Sequence, residues 1–321
     1  MPDPAKLFLG VDIGGTKVAA GLVTGSGEIV FKTRAPMRAH GSAEEGFDSV
    51  RRAMDAALAA KTGVELGGVG ITSPGPLDPH SGVVLNPPNL PCWRDFPLVE
   101  KIRAAYGVDA HLDKDANAAG LAEALWGAGR DYRWVFYATL GTGIGTGIIL
   151  DGRVYRGRTG AAAEGGHMTI DYHGPRCGCG KYGCIEALAS GPAIAARARA
   201  RVAVAGDRGA RLIQLSGGNI ELISSETVAD AWLKGDALAS GILAETFDLV
   251  AIWLGNIVDI LEPEVVIFGG GIGELASEWF TYIRSKLPAW SVNPRCQEIP
   301  LVLARYGADS GVPGAAALCL T

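Results

Sequence analysis

A chain of 321 residues, 48% of them apolar, has enough nonpolar material for two cores, so two domains are expected. The net charge of −5 gives no basic footprint for nucleic acid, and no apolar run approaches the roughly 20 residues of a membrane span. The opening residues, MPDPAKLFLGVDIGG, show no charged region followed by an apolar stretch and a cleavage site, so no signal peptide is expected. Cys92, Cys296 and Cys319 are scattered and read as reduced thiols, which places the expected chain in the cytoplasm.

In chain order, Leu7 to Ile13 is a buried strand ending in Gly14-Gly15, and Lys17 to Thr24 and Glu28 to Thr33 follow as strands around a Gly25-Ser26-Gly27 turn. Ala43 to Lys61 has helical periodicity, with Ser42 and Glu45 spaced as a capping box. Leu66 to Thr72 is a strand, and Ser73 to Cys92 is a loop too long to be idle. Leu98 to Tyr106 and Asp115 to Trp126 read as helices on either side of a short strand, Asp109 to Leu112. A second start follows with strands Trp134 to Leu140 and Ile144 to Leu150 and a hairpin turn at Asp151-Gly152-Arg153. Beyond it come a helix from Glu186 to Arg201, an irregular stretch from Val202 to Ser225, and helices Thr227 to Lys234 and Asp236 to Leu261. A strand from Glu264 to Phe268, a helix to about Leu287, a strand Leu301 to Ala304 and a helix Gly311 to Cys319 complete an α/β order.

The densest chemistry lies between His167 and Glu186, where His167, Cys177, Cys179 and Cys184 can close a tetrahedral zinc shell. The spacing H-x9-C-x-C-x4-C is not that of a common finger, and His173, inside the same stretch, is the alternative imidazole. A metal there would hold two carboxylates in place, Glu164 before the histidine and Glu186 after the last cysteine.

Three buried strands end in glycine turns: Asp12-Ile-Gly14-Gly15-Thr16-Lys17, Leu140-Gly141-Thr142-Gly143, and Phe268-Gly269-Gly270-Gly271. Such turns present backbone N–H groups to phosphate oxygens. Asp12 can hold Mg²⁺ directly or through water, and Thr16 and Lys17 can contact phosphate. There is no G-x-x-x-x-G-K-[ST], so this is not a P-loop enzyme. Transfer to an alcohol needs a base, and Asp115 sits at a strand-to-helix junction that favours the ionised carboxylate. Asp115 also suits an N-cap, and the two readings are compatible. Glu164, Glu186, Asn89 and Asp115 are the acceptor and amide groups that vicinal hydroxyls of a sugar require.

DIGGTK, LNPPNL at Leu85 to Leu90, DKDANAA, TLGTGIGTG, EGGH and CGCGKYGCIE together resemble the ROK family (repressor, open reading frame, kinase) of bacterial sugar kinases. The resemblance runs from about Leu7 to the C-terminus. It implies the actin-like, ribonuclease-H-like ATPase fold of two α/β domains, with sugar and ATP in the cleft between them. The expected domains are 1–118, completed by a C-terminal helix in 305–321, and 119–304 with the zinc segment. The resemblance implies Asp115 as catalytic base and sugar contacts from Gly75, Asn89, Glu164, His167 and Glu186. It further implies phosphate and metal contacts near Asp12, Thr16 and Thr142 and adenosine contacts near Gly270 and Gly271, and it favours His167 over His173 as zinc ligand. NPPNLPCW is most similar to the glucose-phosphorylating members.

The expected function is therefore ATP-dependent phosphorylation of a hexose, glucose first, with ATP, Mg²⁺ and structural Zn²⁺. N-acetylmannosamine, N-acetylglucosamine and fructose are the alternative substrates, and a non-catalytic sugar-binding relative is the alternative role. Repressors of the family carry a helix-turn-helix ahead of the kinase-like part, whereas six residues precede Leu7, so repression is not expected. The expected partners are hexose and ATP, in a homodimer or homotetramer, with no nucleic acid and no membrane. Two residues depart from the family pattern. Lys114 stands where Asn is usual, and Gly165 replaces a larger aliphatic residue, which predicts a looser glutamate–histidine turn. A lysine offers only donors, so it either reaches the sugar or a phosphate and alters hexose selectivity, or turns to solvent or to Asp113.

Overall fold

The computed structural model describes residues 6–60 and 65–321. The chain forms two compact units. The first takes the described residues up to Tyr137, with Gly147–Ala163 and Ala304–Thr321; the second takes Ala138–Thr146 and Glu164–Leu303. Residues 119–137 thus lie with the first unit, although a boundary at 118 assigns them to the second.

In the first unit β1 (Leu7–Ile13), β2 (Lys17–Thr24) and β3 (Ile29–Pro36) form an antiparallel meander. β4 (Leu66–Ser73) and β7 (Ala110–Lys114) add in parallel on the other side, giving the order β3-β2-β1-β4-β7. The central strands are buried almost without interruption, as expected of a sheet covered on both faces. α1 (Ala43–Ala59) contributes Phe47, Val50, Met54 and Ala57 to one core, each large apolar side chain adding about 1.5–3 kcal/mol. Its capping box is formed: Ser42 accepts from Glu45 N–H, and Glu45 accepts from Ser42 N–H. The expected end of this helix at Lys61 lies outside the described residues.

On the sheet lie three glycines in register, Gly21, Gly10 and Gly70 on β2, β1 and β4. A Cβ on Gly10 would sit 2.0 Å from Val312 O, and one on Gly70 would sit 1.7 Å from Ala315 O. The stripe therefore admits the backbone of α11 (Gly311–Ala317), which packs on the first unit. The long loop after β4 is not wholly irregular, because β5 (Leu77–Asp78) and β6 (Val83–Val84) pair within it. α2 (Leu98–Tyr106) ends at Gly107, whose φ of 65° is the left-handed stop of many helices. α3 (Asp115–Trp126) follows β7 without a break.

A second five-stranded sheet has the order β10-β9-β8-β11-β12. Its strands are β8 (Trp134–Leu140), β9 (Ile144–Leu150), β10 (Arg153–Val154), β11 (Val265–Gly269) and β12 (Leu301–Leu303). The expected single helix after the cysteines is two, α4 (Ile185–Ala189) and α5 (Gly191–Ala205), separated by an extended Ser190. Pro192 sits in the first turn of α5, where its missing N–H costs nothing. The stretch expected to be irregular after Val202 is partly helical: α5 runs on to Ala205 and α6 (Ala210–Leu215) follows. α7 (Ser225–Leu233) and α8 (Ala237–Leu261) come next. α8 corrects one expectation, since its length and composition do suit a membrane span. Half of its apolar window is buried, however, with Phe247, Trp253 and Leu254 fully inside the second unit. The helix expected to reach Leu287 is divided into α9 (Gly271–Ser277) and α10 (Phe280–Lys286).

Candidate functional site

In the first unit the turn between β1 and β2 is closed by Gly14 N–H donating to Lys17 O at 2.9 Å, leaving Thr16 and Lys17 exposed. Asp12, at the end of β1, is oriented by Thr72 Oγ1, which donates to Asp12 Oδ1 at 2.8 Å. Gly15 lies against the Asn89 backbone, so close that a Cβ would stand 2.9 Å from Asn89 O. The first glycine turn and the Asn-Pro-Pro-Asn loop are thus neighbours. Gly75 and Asn89 are both exposed, and the Gly75–Pro76 peptide is cis.

Asp115 is the first helical residue of α3, and Lys114 holds the N-cap position without a side-chain cap, so the N-cap reading of Asp115 is off by one residue. Its exposed carboxylate accepts from Ala116 N–H at 2.7 Å, in the first turn where the helix dipole favours negative charge. The preceding Asp113 is fully buried. It accepts from Arg156 Nε at 2.7 Å, Asn117 Nδ2 at 2.8 Å and Lys114 N–H at 2.7 Å. Arg156, which sequence reasoning missed, is therefore the cation for Asp113. The Lys114 ammonium instead donates to Ala162 O at 2.8 Å, so it neither turns to Asp113 nor points simply to solvent.

In the second unit Gly141 N–H donates to Gly143 O, and Gly191 N–H to Gly141 O, which holds the Gly141-Thr142-Gly143 turn on the start of α5. Gly270, with φ of 79°, lies against the end of β8, where a Cβ would be 2.3 Å from Leu140 O. Two of the three glycine turns are therefore adjacent. A cavity of about 780 Å³ opens beside them, lined by Gly141, Thr142, Gly191, Arg199, Ser225, Glu226 and Gly271 among others. That volume falls in the range of small-molecule sites. A second cavity in this unit, about 640 Å³ beside Arg201, Arg208, Arg211 and Asp236, contains none of the expected site residues.

Glu164 is exposed, and the short turn Gly165–His167 follows it. This turn is not loose. Gly165 N–H donates to Thr146 Oγ1 at 2.8 Å, and the buried indole of Trp253 donates to Gly165 O at 3.0 Å. A Cβ at Gly165 would stand 2.8 Å from Thr146 Oγ1, so the glycine suits its threonine neighbour. Glu186 accepts from Ile144 N–H at 2.9 Å, and its other oxygen is 3.8 Å from His167 Nδ1.

One ligand atom from each of His167, Cys177, Cys179 and Cys184 lies within 4.8 Å of the others, and His173 is not of the group. Cys179 Sγ and Cys184 Sγ are 3.7 Å apart, as are Cys177 Sγ and His167 Nδ1. A tetrahedral shell with Zn–S near 2.3 Å has edges of about 3.7 Å, so the four atoms fit a zinc ion. Burial pushes the Cys177 thiol up and the Cys184 thiol up to about 12, whereas the Lys181 N–H holds Cys179 down. A divalent cation supplies the charge that two desolvated thiolates lack.

The ROK family model matches residues 8–321. A glucokinase of Thermotoga maritima is 34% identical over 315 residues, covering 98% of both chains. The crystal structure of a ROK family glucokinase from Streptomyces griseus in complex with glucose and AMPPNP superposes with a TM-score of 0.80 at 33% identity, over 97% of this chain and 98% of that one. The ROK hexokinase from Thermus thermophilus gives a TM-score of 0.80 at 34% identity, over 97% of each chain. These likenesses carry the actin-like ATPase fold to this chain.

Proposed function

The chain belongs to the ROK family, and from that premise we propose that it transfers the γ-phosphoryl group of ATP to a hydroxyl of glucose. The observation that carries this reading is the likeness, over 97% of the chain, to a ROK glucokinase solved with glucose and AMPPNP. In the proposal Asp115 accepts the proton of the attacking hydroxyl, which raises the hydroxyl's nucleophilicity as it approaches phosphorus. Gly75, Asn89, Glu164, His167 and Glu186 hold the sugar hydroxyls. Carboxylates take their O–H groups, and the amide both donates and accepts. His167 presents Nδ1 to the thiols. Its other ring nitrogen is then the one assigned to the sugar.

Gly14, Gly15, Thr16, Lys17, Gly141, Thr142 and Gly143 are assigned to phosphate oxygens, through N–H, hydroxyl and ammonium groups. Gly270 and Gly271 are assigned to the adenosine end; the cavity that Gly271 lines has the volume of a small-molecule site. Asp12 would hold Mg²⁺, which neutralises charge on the phosphates when bound. His167, Cys177, Cys179 and Cys184 would hold a zinc ion in a structural role, since four protein ligands would complete its shell.

The test is a coupled assay of ADP release with ATP across glucose, mannose, fructose and the N-acetylhexosamines. Glucose is expected to give the highest kcat/KM. Turnover of none of these sugars would overturn the proposal.

A further inference from the structure

The residues 156–162 form a loop closed at its base, because Ala162 N–H donates to Arg156 O at 3.1 Å. Two consecutive residues at the β7–α3 junction hold the two ends of that loop. Asp113 takes Arg156 Nε at 2.7 Å, and Lys114 Nζ donates to Ala162 O at 2.8 Å. The next residue, Ala163, has a φ of 60°. A side chain in the left-handed region is strained, and such a conformation persists only where its surroundings fix it. The carbonyl that Lys114 holds belongs to the peptide unit entering Ala163. The strained residue in turn leads directly into Glu164.

We propose that Lys114 is a positioning residue for sugar binding: its ammonium fixes the left-handed turn at Ala163, and so sets the direction in which the chain presents Glu164. The inference rests on the reading of Glu164 as a sugar contact. A charge-assisted bond to a carbonyl is stronger than a neutral one, and the long lysine stem spans from the junction to the loop. An asparagine here is neutral and two bonds shorter, so it cannot supply the same charge-assisted bond, and the departure from the family pattern has a structural purpose of its own. Lys114 acts through the loop and not by touching a reacting atom.

The experiment compares Lys114→Met, which keeps the stem and removes the donors, with Lys114→Arg, which restores them. Amide hydrogen exchange reads the tether, and steady-state kinetics reads its consequence. Lys114→Met is expected to speed exchange at Ala162 about tenfold and to raise the glucose KM about tenfold, with the ATP KM unmoved and kcat within about threefold. Lys114→Arg is expected to recover most of both. Unchanged exchange in Lys114→Met would overturn the tether. Faster exchange with an unchanged glucose KM would overturn the positioning role, as would a parallel rise in both Michaelis constants with a lowered Tm, the mark of general loosening. If the unaltered protein phosphorylates no hexose, the functional reading fails and the positioning role falls with it, while exchange still decides the tether.

Discussion

The Ile144 N–H donates to Glu186 Oε2 at 2.9 Å, while Glu186 Oε1 lies 3.7 Å from Cys177 Sγ and 3.8 Å from His167 Nδ1. One carboxylate therefore ties the glycine turn after β8 to the cysteine–histidine cluster. Disturbing the cluster should move Glu186, and with it a proposed sugar contact. Metal analysis of the purified protein is expected to find about one zinc per chain. Removing it, or substituting Cys184→Ser, is expected to weaken glucose binding by about 10–100-fold, the usual cost of losing a supporting shell. A zinc-free protein of full glucose affinity would show that Glu186 is held by the fold alone.

Asp115 stands at the first turn of α3 with one oxygen on Ala116 N–H. Asp115→Asn keeps the shape and the helix position but cannot take a proton. Turnover is expected to fall by about 10²–10⁴-fold, with glucose affinity by calorimetry nearly unchanged. Turnover within a few-fold of the parent would remove Asp115 from the role of base.

Much of this was legible in the sequence, because strand ends marked by glycine leave few alternatives. β1, β2, α2, α3, β8 and β9 occupy the expected residues to the position. The grouping of His167, Cys177, Cys179 and Cys184 was legible from residue type and crowding, and the structure gathers His167 rather than His173 with the three thiols. What stayed hidden depends on contacts distant in sequence. Arg156 reaches Asp113 across 43 positions, and Trp253 reaches Gly165 across 88, and no local pattern announces either bond. The break at Ser190 was blurred for another reason. Alanine-rich stretches keep helical propensity on both sides of a break, so only Pro192 hinted at a new start.

The glycine stripe makes a test of the fold independent of activity. Gly70 faces Ala315 O so closely that a methyl group cannot enter without moving α11. Gly70→Ala is expected to destabilise the first unit by about 3 kcal/mol, the upper end of ordinary overpacking costs. Chemical denaturation resolved by unit is the appropriate measurement, since two units need not unfold together. A change below about 0.5 kcal/mol would mean that α11 docks without needing the stripe.

The buried Asp113 offers the most demanding test. Its carboxylate is wholly enclosed, and Arg156, whose side chain is 27% exposed, is its ion-pair partner. Asn117 and Lys114 N–H satisfy the rest of it, but neither brings a full charge. Arg156→Met removes the cation and leaves a desolvated anion, a loss that typically costs about 3–5 kcal/mol. A value of about 3 kcal/mol is expected here, because Arg156 retains some contact with water. Asp113→Asn alone strands the guanidinium, which can turn outward, and should cost less. The double variant Asp113→Asn with Arg156→Met carries no buried charge at all. It is therefore expected to be more stable than Arg156→Met by about 1 kcal/mol or more, a coupling that a double-mutant cycle in urea measures directly. If instead the two single losses simply add, the pair at 2.7 Å contributes nothing beyond packing. The end of the 156–162 loop would then be held by shape, with the Lys114 ammonium on Ala162 O as a charged anchor at the junction.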